Sequence, residues 1–400
     1  MNVRLAERVR RIQPSATLSI DAKAKQLKAE GKDVVGFGAG EPDFDTPDHI
    51  KEAAIAAIKA GQTKYTAVGG TPELRKAVCT RIKGDYGLDY QPNEVLVSCG
   101  GKHTLYNLFL AMLDKGDEVI IPAPYWVSYP EMVGMADATP VCVETKEEDG
   151  FALTPQALEK VLTPRTRMVV LNYPSNPTGA TMSEAQIRAV AKVLEKHPDV
   201  WVISDDIYLR LLYEGAKFFS IATISQQWKE RTIIVNGASK AYSMTGWRIG
   251  WAAGNKDVIA AMEKLQSQST SNPSSIAQAA ALAAFTGDQH VVDKMLVAFD
   301  ERRKVIVDLL NSIDGIKCRL PEGAFYVFPN VKGVLGKSFN GKKIASDMDF
   351  AAYLLEQALV AVVPGTPFGA PGYMRLSYAT SMDNIRKGLS RIKEAVGKLG

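Results

Sequence analysis

Closely spaced cysteines are missing from this chain, and with them a disulfide framework of the secreted kind. Cys79, Cys99, Cys142 and Cys318 are scattered, and their spacing suits neither paired bridges nor a tetrahedral zinc site. Histidine is as scarce. His49, His103, His197 and His290 lie too far apart in sequence to predict a histidine-based metal centre, and no metal is expected. No apolar run approaches the roughly 20 residues that cross a bilayer. The leading stretch MNVRLAERVRRIQPSAT carries arginines but lacks the apolar segment of a secretory signal. Cytoplasmic placement without a membrane partner is the expectation. Charge of one sign is lacking too. Lysine and arginine number 48 against 44 acidic residues, a formal balance of +4 with no like-charged block to mark a nucleic-acid partner.

What the chain does have is an ordinary globular composition, 46% hydrophobic and 23% charged over 400 residues, which suits two domains rather than one small core. From residue 94 onward, short β-rich runs alternate with helical stretches. The runs EVLVSCG (94–100), DEVIIP (117–122), TPVCVE (139–144), RMVVLNYP (167–174), VWVISDD (200–206), TIIVNG (232–237) and RIGWAAG (248–254) read as seven strands. Several are apolar throughout and β-branched, as strands buried on both faces are. SEAQIRAVAKVLEKH (183–197) reads as a helix capped by Ser183. The pattern predicts an α/β fold with a mainly parallel sheet between helices. After residue 255 the texture changes to helices over 255–268, 274–286 and 288–312. Short strands at CRLP, AFYVFP, VAVVP and YMRLSY follow, with helices near 347–357 and from 382, which is the α+β texture of a smaller domain. The expected division is an arm and part of the small domain over 1–45, a large domain over 46–300 and a small C-terminal domain over 301–400.

Two glycine-rich stretches resemble nucleotide loops and fail on context. GVLGKS (333–338) has Val331 where the first glycine belongs and no buried strand feeding it, and in GFGAGEP (36–42) Pro42 and Asp43 stand where a dinucleotide-binding helix should begin. The stronger signals sit after the predicted strands, where open parallel sheets bind ligands. Gly100-Gly101-Lys102 opens a helix whose N–H groups suit an anion. Asn172 to Gly179 is a rigid, proline-bearing loop with Asn176 as its best-placed polar side chain. Asp205 and Asp206 follow a buried strand, where a carboxylate calls for a cation or a donor unless it caps the following turn, a role that suits either. Lys240 lies in the small, apolar setting AYSMTGWRIGW, with Arg248 eight residues beyond. Desolvation lowers a lysine's pKa, as a Schiff-base lysine requires. A phosphate, a basic ring nitrogen, a phenolic oxygen and an aldehyde would together satisfy this set.

PSAT, AGEPDFDTP, TKYT, GGK, PAPYWVSYPEM, NPTG, SDDIY, SKAYSMTGWRIG, PEGAFY, VPGTPFG and MRLSYA occur in this order along almost the whole chain. In them the sequence resembles the aspartate aminotransferase family of fold type I pyridoxal-phosphate enzymes, and within it the bacterial subgroup that includes bifunctional aspartate/prephenate aminotransferases. The resemblance implies that the large domain binds pyridoxal 5′-phosphate and that Lys240 carries it as a Schiff base and shuttles the substrate's proton. It implies that Asp205 pairs with the ring nitrogen, that Tyr208 and Asn176 bond the 3′ oxygen, and that Trp126 stacks on the ring. Gly101, Lys102, Arg248 and Tyr65 of the partner subunit would hold the phosphate. Arg375, assisted by Gly40, would clamp the substrate α-carboxylate, with Trp126 and Asn176 also facing the substrate. A homodimer with shared sites follows from the same resemblance.

For the second carboxylate of a dicarboxylic substrate, the stretch QSQSTSNP (266–273) offers no arginine, whereas Lys102 and Thr17 match the subgroup that uses those two positions instead. The resemblance thus implies amino transfer between aspartate or glutamate and 2-oxoglutarate or oxaloacetate, with arogenate formation from prephenate as an extension. Gln13 stands where bifunctional members often have lysine. Gly237 stands where many relatives have a phosphate-binding serine, with Ser239 or Ser243 as substitutes. The alternatives on the same fold are an aromatic or neutral amino acid aminotransferase and a carbon–sulfur lyase.

Overall fold

The seven predicted runs form one sheet in the computed structural model, which describes residues 3–400; the first two residues of the expected arm lie outside it. In chain order the strands are β1 (Val95–Ser98), β2 (Glu118–Ala123), β3 (Thr139–Glu144), β4 (Thr166–Leu171), β5 (Trp201–Asp205), β6 (Thr232–Gly237) and β7 (Gly250–Ala253). Their spatial order is β1-β7-β6-β5-β4-β2-β3. All neighbours are parallel except β7, which runs antiparallel between β1 and β6. Only β3, at the edge, is largely exposed, and it is the strand that contains Pro140, where a missing N–H costs least.

Side chains alternate between two cores, as the pleat demands. Val119, Ile121, Met168, Val170 and Ile203 face a core shared with Leu105, Leu108 and Phe109 of the helix Gly101–Met112 and with Ile259 and Met262 of the helix Lys256–Ser267. Ile120, Val169, Leu171 and Val202 face the opposite core, with Ile187, Val190 and Leu194 of the helix Glu184–Leu194. That helix starts as its sequence predicts, with Ser183 and Gln186 forming a capping box.

Beyond the 22-residue helix His290–Asn311, the C-terminal region is built from shorter pieces. Tyr326–Val327, Met374–Ser377 and Val363–Pro364 make a three-stranded antiparallel sheet. VAVVP, expected as one strand, is divided between two partners. Val360–Ala361 pairs with Val35–Gly36, and Val363–Pro364 pairs with Met374–Ser377. CRLP, also expected as a strand, is not one; an isolated bridge from Lys317 to Asn330 is all that forms there. GVLGKS runs through turns into the hairpin Ser338–Phe339/Lys342–Lys343, with no helix to receive a phosphate. Among the described residues no helix is long and apolar enough to cross a membrane, and no group of three or more His, Cys, Asp or Glu could hold a metal.

The topology sets the site. The segments that follow β4, β5 and β6 leave the sheet at the same edge, so Asn172, Asp205 and Lys240 converge although 68 residues of chain separate the first from the last.

Candidate active site

A cavity of about 460 Å³ opens at that edge, and Asp205, Lys240, Tyr208, Asn176, Trp126, Gly101, Lys102, Arg248, Arg375, Gly40 and Thr17 all line it. Tyr65 does not. It lies on an irregular loop, 92% exposed, away from its own chain's cavity.

Asp205 is 5% exposed at the end of β5. Its Oδ2 accepts from the Tyr129 hydroxyl at 2.5 Å, and Oδ1 accepts weakly from the Ile207 N–H at 3.4 Å. Burial pushes its carboxyl up to about 6, against the opposing pull of the Tyr129 hydrogen bond, the Ile207 N–H and the Lys240 charge. The neighbouring Asp206 points elsewhere, to the hydroxyls of Ser204 at 2.8 Å and Tyr86 at 2.9 Å. The structure therefore distinguishes two carboxylates that look alike in sequence: Asp205 faces the cavity and Asp206 faces a hydroxyl cluster.

Lys240 lies beyond β6, partly buried, and lines the cavity. Its Nζ donates to the Gly40 carbonyl at 2.5 Å. Burial pulls the amine down from 10.5 to about 8; Glu41 opposes the fall, and the guanidiniums of Arg375 and Arg248 add to it. An amine-modifying reagent applied to the cofactor-free chain should therefore reach half-maximal reaction at Lys240 near pH 8, read by mass spectrometry of the Lys240 peptide. A midpoint near 10.5 would show an ordinary, hydrated lysine.

Lys102 and Arg248 gather at the start of the helix Gly101–Met112. Gly100, at φ +91°, caps that helix, and a Cβ there would stand 2.8 Å from Arg248 Cζ, so only glycine lets the guanidinium reach the helix end. Arg248 itself adopts a left-handed conformation at φ +56°, uncommon for a side-chain-bearing residue and held by its bond from Nη1 to the Thr245 carbonyl at 2.8 Å. Lys102 Nζ sits 5.0 Å from the Trp126 ring centroid, and burial, then the Arg248 charge, lower its pKa. Neither cation pairs with a carboxylate among the described residues.

Arg375 is the most demanding group. It is 2% exposed between the Tyr326 and Phe368 rings, donates from Nη1 to Asn176 Oδ1 at 3.0 Å and from Nη2 to the Gly38 carbonyl at 2.7 Å, and leaves Nε without a partner. No carboxylate balances it among the described residues. A buried guanidinium without a counter-ion is costly, so the site is poised for an anionic ligand. The carbonyl that holds Arg375 is that of Gly38, while the Gly40 carbonyl accepts from Lys240.

Tyr208 is 2.9 Å, hydroxyl to hydroxyl, from Tyr326, and burial raises both phenols. Tyr326, Tyr129, Asn172 and Glu41 also line the cavity, and sequence reading gave none of them a role. Tyr129 follows Trp126 by one helical turn in PAPYWVSYPEM, which is the one signal that points to it. Ser239 lines the cavity, whereas Ser243 turns its hydroxyl to Met295 Sδ at 3.2 Å. Gly237 has a steric reason: a Cβ there would meet the Ile249 carbonyl at 2.7 Å and Gly250 Cα at 2.9 Å, leaving no room for a serine. Gln13, whose N–H donates to Glu131 at 3.1 Å, lines an adjoining cavity that shares Lys102 and Arg248 with the first.

The family described as aminotransferase class I and II matches residues 32–392 of the chain. An aspartate/prephenate aminotransferase from Nitrosomonas europaea is 52% identical over 98% of this chain and 99% of its own length. An aspartate aminotransferase from Geobacillus stearothermophilus is 52% identical over 98% of each chain. Among solved structures, the aspartate aminotransferase of Rhizobium meliloti superposes with a TM-score of 0.97 at 49% identity, covering 100% of both chains. That of Thermus thermophilus with maleate superposes with a TM-score of 0.92 at 45% identity, over 98% of this chain and 100% of its own.

Proposed function

Because the chain belongs to the class I and II aminotransferases, we propose that it moves an amino group between L-aspartate or L-glutamate and the 2-oxo acids oxaloacetate and 2-oxoglutarate, using pyridoxal 5′-phosphate. The residues fit that cofactor. A buried carboxylate, a poorly hydrated amine, a flat aromatic ring and a helix start flanked by two unpaired cations line a single cavity. When bound, the cofactor supplies an aldehyde that joins amines and a protonated ring that draws electrons from the substrate's α-carbon.

The chain's own groups divide the remaining work. Asp205, which accepts from the Tyr129 hydroxyl, would pair its carboxylate with the ring nitrogen and keep that nitrogen protonated. Tyr208 and Asn176 face the 3′ oxygen, and Trp126 covers the ring. The N–H groups of Gly101 and Lys102, together with Arg248 and the Tyr65 hydroxyl of a second copy, hold the phosphate. Lys240 would supply the amine that bonds the cofactor's aldehyde and would carry a proton between the substrate α-carbon and the cofactor carbon that bore that aldehyde. Arg375 grips the α-carboxylate in a fork. This assignment makes the enzyme a homodimer with shared sites. The reading also places it in the cytoplasm and divides it into an arm with part of the small domain (1–45), a cofactor domain (46–300) and a small domain (301–400).

The observation that carries the reading is that the Lys240 amine and the Asp205 carboxylate open on one cavity, each within range to shift the other's titration. A coupled assay of aspartate with 2-oxoglutarate tests it: turnover with aspartate well above that with alanine or phenylalanine is expected, and activity confined to neutral donors would overturn the substrate class. Arogenate formation from prephenate is proposed as a second use of the same site, on the similarity to relatives named for both substrates.

Lys102 and Thr17 are the residues proposed to receive the second carboxylate. Lys102→Ala should lower kcat/KM for aspartate by about 10–100-fold, the effect of a lost charged hydrogen bond, and leave a neutral donor within about threefold. Equal losses for both donors would remove Lys102 from substrate recognition.

A further inference from the structure

Tyr65 is an exposed ring on a loop without regular structure, which is a poor way to deliver a hydroxyl to a fixed point. The loop is nevertheless tied down from behind. Gln278, 1% exposed in the helix Ser275–Thr286, donates from Nε2 to Thr66 Oγ1 at 2.9 Å and accepts at Oε1 from the Thr71 N–H at 2.8 Å. Its other amide hydrogen goes to the Pro273 carbonyl at 2.9 Å. Gln266, fully buried, donates to the carbonyls of Val68 and Val97, each at 2.8 Å, and accepts from Asn107 of the helix Gly101–Met112 at 3.1 Å. Gly69 N–H donates to Glu263 at 3.1 Å, and Ser275 Oγ donates to the Gln62 carbonyl at 2.7 Å.

Glutamine is rarely buried completely, since its amide must recover every bond that water gave it. Both of these amides recover theirs, and half of those bonds go to Thr66, Val68 and Thr71 of the loop, the others to Pro273, Val97 and Asn107. A leucine would fill the same space and leave the Val68 carbonyl or the Thr71 N–H unpaired. Fully satisfied buried polar networks fix one arrangement in preference to others. The anchors fall at residue 62 on one side of Tyr65 and at 66, 68, 69 and 71 on the other, so the ring stands on a short span with both ends fixed.

We propose that Gln278 and Gln266 are positioning residues, which fix the loop 62–71 so that Tyr65 presents its hydroxyl in one orientation to the cofactor phosphate of a second copy of this chain. The inference rests on the reading of Tyr65 given above. Gln266 also ties this loop, through Asn107, to the helix whose first turn faces the phosphate of its own cavity, so one amide holds elements that serve two sites.

The test is a double-mutant cycle on cofactor affinity, measured by titrating the cofactor-free full-length dimer with pyridoxal phosphate and following its absorbance. Gln278→Met should weaken binding about tenfold, and Thr66→Val, a partly exposed change that removes one anchor only, about threefold. In a Tyr65→Phe background neither should add more than about twofold, because the group they position is gone. Losses of the same size in both backgrounds would mark the glutamines as merely structural and overturn the inference. If Tyr65→Phe weakens binding while both loop variants bind normally, the inference fails and the reading of Tyr65 stands. If Tyr65→Phe itself binds normally, that reading falls, and the inference with it. Should Gln278→Met fail to fold, Thr66→Val carries the same comparison.

Discussion

Lys240→Ala should lower turnover by about 10⁴-fold or more while the protein still folds and still holds pyridoxal phosphate without a covalent bond. The size follows from two losses at one atom. In the proposed reaction Nζ is both the amine that bonds the cofactor and the base at the substrate α-carbon. Several groups that share the cavity are unsuited to the second task. A guanidinium such as that of Arg375 is no base, Tyr208 is buried with its phenol raised well above its ordinary range, and the carboxylate of Asp205 is engaged by Tyr129. The substitution removes a poorly hydrated charge that has no carboxylate ion-pair partner among the described residues, so it should not destabilise the fold, which thermal denaturation would check. Residual activity within tenfold of the parent would show that another group performs the proton transfer.

Arg375→Leu should cost about 10²–10³-fold in kcat/KM for every amino donor, acidic or neutral, because all of them carry the α-carboxylate. Arg375→Lys should recover little. The site is shaped for a planar fork lying between Tyr326 and Phe368, with one arm on Asn176 and the other on Gly38, and a lysine presents a single point charge. The contrast with Lys102 is the informative part. Lys102→Ala should discriminate between acidic and neutral donors and Arg375→Leu should not. A loss at Arg375 confined to aspartate would exchange the roles assigned to the two cations.

Much of this site was legible in the sequence because the sheet was. RMVVLNYP and VWVISDD could only be strands buried on both faces, and once their ends were placed, Asn176, Asp205 and Lys240 had to lie near one another. The order of the motifs supplied the remaining roles. What the sequence could not show depends on packing. RIGWAAG reads like any other strand, and nothing in it reveals that β7 runs antiparallel between β1 and β6. CRLP has the composition of a strand but finds no ladder partner beyond one bridge, and VAVVP serves two sheets because its neighbours approach from two sides. Tyr129 and Tyr326 are aromatic residues in apolar settings, and only the folded chain reveals that their hydroxyls meet Asp205 and Tyr208. Nothing in the sequence singles out Gln266 and Gln278, and the loop residues they bond come from 198 and 212 residues earlier.

The central claim is that one desolvated amine, facing the same cavity as a buried carboxylate, forms the covalent bond to the cofactor. Borohydride reduction of the pyridoxal-phosphate-loaded protein, followed by proteolysis and mass spectrometry, tests it most directly. The reduced adduct should lie on Lys240, and the visible absorbance of the loaded protein should vanish as it forms. An adduct on any other of the chain's lysines, with Lys240 unmodified, would contradict the account.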